Sequence, residues 1–236
     1  MLNFIPYASS SSGNLYQLVS GESALMLECG LPIKDIKKYF NFDFSRVDGC
    51  LLSHEHGDHA KAAKDIMAAG VDLYCSQGTT EALSLSGHRL HTVQGQKAFK
   101  IGSWQILPFD TQHDCASPLG YLISDGNEKI LFATDTYFIK WRFQGLNIIA
   151  IECNYAIELI PPDLNFTRKK RLMESHMGLH TCRDFFRAND LSAVREIHLL
   201  HLSDEHSSEE LFTNEIQKLT GKPVFVAPKR RLKCKS

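Results

Sequence analysis

Ser53-His54-Glu55-His56-Gly57-Asp58-His59 places three histidines and an aspartate within six positions. The segment follows the apolar run Gly49 to Ser53, which reads as a buried strand, and precedes Ala60 to Ala69, which reads as a helix stopped by Gly70. His54 and His56 stand two apart on an extended stretch, so their side chains project to the same side. The small Gly57 lets the chain turn sharply, and Asp58 and His59 then face back from the first helical turn. Mixed nitrogen and oxygen donors of this kind suit zinc, with manganese or iron as alternatives. A solvated polar loop is the plain alternative, but it does not account for an apolar strand that ends abruptly in four metal-type donors. One four-coordinate ion would use all four. Two ions sharing a bridging ligand would need about three more, with the metals roughly 3.5–4 Å apart.

Outward from this segment the chain alternates short strands with helices. Leu2 to Ala8, Asn14 to Ser20 and Ala24 to Glu28 read as strands, then Ile33 to Phe40 as a helix. Val71 to Cys75 reads as a strand and Thr79 to Leu85 as a short helix. A second set follows: Leu90 to Val93, Trp104 to Phe109, Leu119 to Ser124, Lys129 to Ala133 and Leu146 to Glu152 as strands. Leu164 to Met173 and Thr181 to Asn189 read as helices, Glu196 to Leu202 as a strand, Ser208 to Thr220 as a helix and Val224 to Ala227 as a last strand. Strands then helices, twice over, predict two sheets sandwiched between helices, an α/β architecture. A length of 236 residues, 43% hydrophobic and 22% charged, fits one globular domain over 1–236. The formal net charge of -1 leaves any polyanionic partner to a local patch. Seven cysteines, an odd number with no CxxC pair, read as free thiols of a reducing compartment. No basic-then-apolar leader and no membrane-length apolar run is visible, so the expectation is a cytoplasmic protein with no membrane partner.

The histidine segment resembles the HxHxDH signature of the metallo-β-lactamase superfamily, and the resemblance runs in order along nearly the whole chain. It implies the superfamily's αββα sandwich, two mixed sheets flanked by helices. His113, in Thr111-Gln112-His113-Asp114, matches the third-motif histidine. Asp135, in Ala133-Thr134-Asp135-Thr136, matches the bridging aspartate, and His201, in Leu199-Leu200-His201-Leu202-Ser203, matches the last histidine. The implied split is His54, His56 and His113 on one metal and Asp58, His59 and His201 on the other, with Asp135 and a water or hydroxide between them. Zinc is the expected metal and manganese the alternative. His88, His91, His180, His198 and His206 match no motif position and read as structural or surface residues.

One branch fits best. Ala8-Ser9-Ser10-Ser11-Ser12-Gly13-Asn14, Glu152-Cys153-Asn154 and Ser175-His176-Met177-Gly178 resemble the bacterial WalJ/YycJ proteins, which are similar in turn to tRNase Z and other phosphodiesterases of the fold. The resemblance implies that His176 donates a proton and that Glu152 orients it. Two departures stand out: Glu28 where the family usually has an aspartate supporting the metal site, and Tyr155 where the branch commonly has a histidine. The long substrate arm of tRNase Z has no evident counterpart, which argues against tRNA processing.

The implied function is a metal-dependent phosphodiesterase, foremost a nuclease acting on DNA (exonuclease-like) or RNA with a hydroxide held by two metals. A phosphodiesterase for cyclic or other small nucleotides is the second reading, and a thioesterase or lactamase-type hydrolase the third. The catalytic set is His176, Glu152 and Asp58. A nucleic acid or small nucleotide is the expected partner, and a homodimer is a state the chain could adopt. Two basic clusters bear on a phosphate backbone: Arg168-Lys169-Lys170-Arg171, and Lys229, Arg230, Arg231, Lys233 and Lys235. Each also reads as solvated surface, the second more so than the first.

Overall fold

The computed structural model describes residues 1–229. The first sheet has its six strands in chain order: β1 (Asn3–Ala8), β2 (Leu15–Ser20), β3 (Ser23–Leu27), β4 (Val47–Leu51), β5 (Leu73–Ser76) and β6 (Leu90–Val93). The first three strands pair antiparallel. From β3 onward the pairing is parallel. The parallel crossovers carry α1 (Ile33–Tyr39), α2 (Gly57–Ala60), α3 (Ala63–Ala68) and α4 (Gln77–Ala82).

The second sheet repeats the scheme. β7 (Phe99–Ile101), β8 (Trp104–Asp110), β9 (Leu119–Ser124) and β10 (Lys129–Ala133) pair antiparallel. β11 (Ile148–Glu152), β12 (Glu196–Leu200) and β13 (Val224–Val226) continue in parallel. The helices α5 (Phe166–Ser175), α6 (Leu179–Ala188) and α7 (Glu209–Thr220) belong to this half. The two-sheet α/β sandwich expected from the alternation of elements is the one observed. Strand β7 was not foreseen, and the helix read over Ala60 to Ala69 is two short helices. Cys29 N–H donates to the His59 carbonyl at 2.8 Å, and Ala62 N–H to the Cys29 carbonyl at 2.9 Å, so the break between the helices is tied down by the loop after β3.

Three apolar layers follow from side-chain alternation. Leu25 and Leu27 of β3 and Ile130 and Phe132 of β10 lie between the sheets with Tyr16, Tyr121 and Leu200. Their neighbours Leu131 and Ala133 face outward, onto Phe185, Phe186, Phe212 and Ile216 of the helices. Met26 and Cys50 face outward on the other side, against Ile36, Phe40 and Ile66. Strands buried on both faces need near-continuous apolar sequence, which is why β10 and β11 show no polar alternation, while β12 keeps Glu196 and His198. Cys29, Cys50, Cys75, Cys115, Cys153 and Cys182 are free. No helix among the described residues is long and apolar enough to cross a membrane. Of the second basic cluster, Lys229 pairs with Asp204 at 2.7 Å, and the rest lies outside the described residues.

Candidate metal centre

The strands end at one rim of the sandwich, and the donors sit just past those ends. Ser53 to His59 follows β4, His113 follows β8, Asp135 follows β10, Glu152 closes β11 and His201 follows β12. Glu28, Asp135 and His201 have φ of 64°, 45° and 53°, the left-handed region that side chains other than glycine rarely adopt. Each bends the chain sharply where a strand stops and turns its side chain into the rim. Conformations of this kind cost free energy and persist where the surrounding structure enforces them.

Gly57 proves to have a different role from the sharp turn expected of it. A Cβ there would meet nothing, and the residue lines the opening of the site, so the glycine keeps that opening clear. The close approach is at Gly30 instead, where a Cβ would fall 1.6 Å from the Asp58 carbonyl oxygen. Asn14 N–H donates to that same carbonyl at 2.8 Å, which fixes the turn carrying Asp58 and His59.

All seven residues expected as metal ligands converge. His56 Nδ1 lies 3.1 Å from both His54 Nε2 and His113 Nε2. Nitrogens bound 2.0–2.1 Å from a tetrahedral zinc would stand about 3.3 Å apart, so this spacing fits a shared cation. Three imidazole nitrogens facing one another so closely would otherwise repel through their lone pairs. Burial holds His54 and His113 below the ordinary imidazole range, which keeps them neutral donors. In the second group Asp58 Oδ2 lies 3.3 Å from His59 Nε2 and 3.3 Å from His201 Nε2. Asp135 Oδ2 stands between the groups, 3.3 Å from His59 Nε2, 3.6 Å from His113 Nε2 and 3.9 Å from His54 Nε2. Burial opposes charge on His59 and His201, but the carboxylates around them win: His59 rises well above the usual range and His201 to about 10. The same ion pairing draws Asp58 and Asp135 down despite their burial. A cluster that holds protons this firmly is a cluster of negative potential, which suits divalent cations that take the protons' place.

Supporting contacts fix the ring orientations. Ser53 Oγ lies 2.8 Å from His54 Nδ1, and the Ser175 carbonyl accepts from His113 Nδ1 at 2.8 Å. Asn154 Nδ2 donates to the His201 carbonyl at 2.6 Å, and Ser9 Oγ accepts from His201 N–H at 2.8 Å. Glu28, fully buried, reaches within 3.5 Å of His59 Nδ1 and accepts from Ser53 N–H at 3.3 Å. The departure at Glu28 therefore leaves the His59 ring with a carboxyl partner. Ser9, Asn14 and Asn154 stood in the quoted motifs, yet their duties are visible only in three dimensions. The Tyr155 ring is buried and lies against Gly178 and His180.

Glu152 and His176 are in close contact, Nδ1 to Oε1 at 2.6 Å. Burial opposes charge on the His176 ring, the carboxylate outweighs it, and its pKa is raised. The ring stacks on His201 at 5.4 Å and 19°, and lines the same cavity of about 360 Å³ as His56, Asp58, His113 and Asp135. Asp135, Glu152, His176 and His201 also come within 4.8 Å of one another through their ligand atoms, so His176 stands close enough to the donors to be compared with them. Among the unassigned histidines, His198 is buried between Phe225 and Phe4, and His91 stacks on Tyr74.

Two mixed sheets between helices, with histidines and aspartates gathered at the strand ends, define the metallo-β-lactamase fold. The chain belongs to the β-lactamase superfamily: the family described as "Beta-lactamase superfamily domain" matches residues 38–202. The class expected from the sequence, a metallo-hydrolase of this fold, is the class returned. Similar proteins include the exodeoxyribonuclease YycJ of Bacillus anthracis, 26% identical across 95% of this chain and 91% of that one. The exodeoxyribonuclease WalJ of Streptococcus pneumoniae is 27% identical, over 86% of this chain and 82% of its own. Among solved structures, the metallo-β-lactamase fold protein YhfI of Bacillus subtilis superposes with a TM-score of 0.73 at 17% identity, over 97% and 98% of the two chains.

Proposed function

We propose that the protein is a metal-dependent phosphodiesterase, and specifically a nuclease that removes nucleotides from DNA ends. The observation that carries the reading is the His176–Glu152 pair, 2.6 Å apart, with His176 opening onto the cavity lined by His56, Asp58, His113, Asp135 and His201. Phosphodiester hydrolysis needs a proton at the leaving sugar oxygen, and this pair is built to deliver one. His54, His56 and His113 would hold one divalent ion and Asp58, His59 and His201 a second, with Asp135 shared. Zinc fits the donor set best and manganese next. Bound there, the ions would lower the pKa of a water and offset charge on the phosphate.

The chain's own residues do the rest. Asp58 draws His59 and His201 together and supplies a carboxylate oxygen to the second group. Glu152 holds His176 through Nδ1, which leaves Nε2 for the proton that goes to the leaving oxygen. The similarity to two exodeoxyribonucleases favours DNA over RNA and over small nucleotides. The test is to assay zinc- and manganese-loaded protein against linear duplex DNA, single-stranded DNA, covalently closed circular DNA, RNA, cyclic nucleotides and a thioester. The expected result is mononucleotide or short-oligonucleotide release from linear DNA and none from closed circles. Hydrolysis of the thioester alone would refute the reading. Turnover confined to cyclic nucleotides would move the substrate class to small nucleotides.

A further inference from the structure

The basic run on α5 does not act as one patch. Lys170 stands on the outer face and pairs with Glu174 at 3.9 Å. Arg171 turns the other way, and among the described residues it is the one lysine or arginine that lines the cavity of the metal centre. Its Nε lies 3.4 Å from Asp114 Oδ2, while Asp114 Oδ1 lies 3.4 Å from His113 Nε2. The guanidinium therefore sits one carboxylate away from the first group of donors. The last turn of α5 is fixed to the same place by the Ser175 carbonyl, which takes the His113 Nδ1 hydrogen bond at 2.8 Å. Arg171, one turn before Ser175, is thus held at the cavity mouth by the site itself.

We propose that Arg171 grips a non-bridging phosphate oxygen of the substrate, leaving Asp114 to do so, and that Asp114 positions the guanidinium in the free protein. The inference rests on the phosphodiesterase reading. Three observations support it. Bound ions would offset Asp58 and Asp135, but Asp114 lies outside both donor groups and leaves a carboxylate on the cavity wall that Arg171 counters as an anion approaches. The Arg171 side chain is 74% exposed, and an ion pair that exposed is weak and readily exchanged. A guanidinium also presents a planar fork of donors that matches phosphate, a geometry that lysine lacks. Arg171 is a binding residue in this scheme and Asp114 a positioning residue that acts through it.

The test uses metal-loaded protein and two readouts. Steady-state hydrolysis of a single-stranded decanucleotide should show KM raised about tenfold or more for Arg171→Ala, with kcat changed much less. Arg171→Lys should recover part of that loss, because it restores charge without the fork. Asp114→Asn should raise KM less than Arg171→Ala, and have no added effect once Arg171 is alanine. Binding is read without turnover, by fluorescence anisotropy of the same labelled strand on the metal-loaded His176→Ala protein. There Arg171→Ala should lower the slope of log affinity against log salt by about 0.7, one lost single-strand phosphate contact. Lys170→Ala removes the same charge from outside the cavity and should leave the slope alone. An unchanged slope and KM for Arg171→Ala overturns the inference, as does an equal effect of Lys170→Ala or a failure of the strand to bind at all. Failure of hydrolysis with every phosphodiester, but with strand binding that depends on Arg171, would instead sink the phosphodiesterase reading and leave the anion grip standing.

Discussion

Replacing Glu152 with glutamine isolates one proton. The Glu152 carboxylate accepts at Oε1 from His176 Nδ1 at 2.6 Å, and at Oε2 from the backbone N–H groups of Thr136 at 2.8 Å and Met177 at 3.1 Å. Glutamine has one acceptor oxygen and one donor amide. Two buried N–H groups outweigh one ring nitrogen, so the oxygen should turn to Thr136 and Met177 and the amide to His176. Nδ1 must then accept, which places the ring proton on Nε2 and removes the carboxylate that favours the imidazolium. The ring still points an N–H at the cavity, but it is a neutral imidazole and a poor acid. Loss of a general acid costs 10²–10⁴-fold, about 3 to 5 kcal/mol of barrier. His176→Ala should show that full loss. Glu152→Gln should fall short of it, because positioning by the stack on His201 survives. The assay is single-turnover hydrolysis of a nucleotide substrate beside an activated aryl phosphodiester, whose leaving group needs no proton. Both variants should slow the nucleotide far more than the aryl ester, and the double variant should be little slower than His176→Ala, since the pair acts as a unit. Equal slowing of both substrates would refute the proton-donor role. Release of a metal by His176→Ala would make the residue a ligand.

Protein reloaded with zinc or manganese should hold two metals per chain by elemental analysis, and a ceiling of one would remove the shared role of Asp135. Asp58→Ala should bring that count down to one and abolish hydrolysis, because Asp58 Oδ2 meets both His59 and His201; near-normal turnover at limiting metal would refute the split of donors. His198 tests the core rather than the site. Burial, with Arg195 nearby, lowers its pKa from 6.5 to about 4, so the unfolded chain takes up the proton first as pH falls. The stability it confers is complete above about pH 6.5 and is lost as pH drops toward 4, about 2 kcal/mol of it by pH 5. Urea titrations of His198→Leu should show that much less loss between pH 7.5 and pH 5, and an identical loss in both proteins would contradict the buried, neutral ring.

The sequence carried the rim of the site more clearly than its support. The candidate donors are histidines and aspartates that come after apolar strands, so each left a local mark, as at Leu199-Leu200-His201. Two-faced burial likewise wrote β10 and β11 as nearly plain apolar runs. Strand β7 was missed because Phe99-Lys100-Ile101 is too short for any alternation to register. The helix over 60–69 was read as continuous because its alanines propagate a helix well, and the competing bond from Ala62 to Cys29 arises from residues distant in sequence. Serine and asparagine are common in any turn, so nothing local marks Ser9 or Asn154 as props for His201. Arg171 looked like its three basic neighbours because composition does not say which face of α5 meets the cavity.

The donors are divided between the two sheets, and the division has a consequence for how the protein is made. His54, His56, Asp58 and His59 belong to the first half, and His113, Asp135 and His201 to the second. During synthesis the leading half emerges first, with its inner apolar face still awaiting the second sheet. It carries four candidate donors, and it lacks His113, Asp135, His201 and the Glu152–His176 pair. The candidate donor set is complete only when β12 has docked beside β11 and brought His201 to the rim. On the nuclease reading, a chain stopped short of β12 would therefore hold part of the donor set and none of the activity.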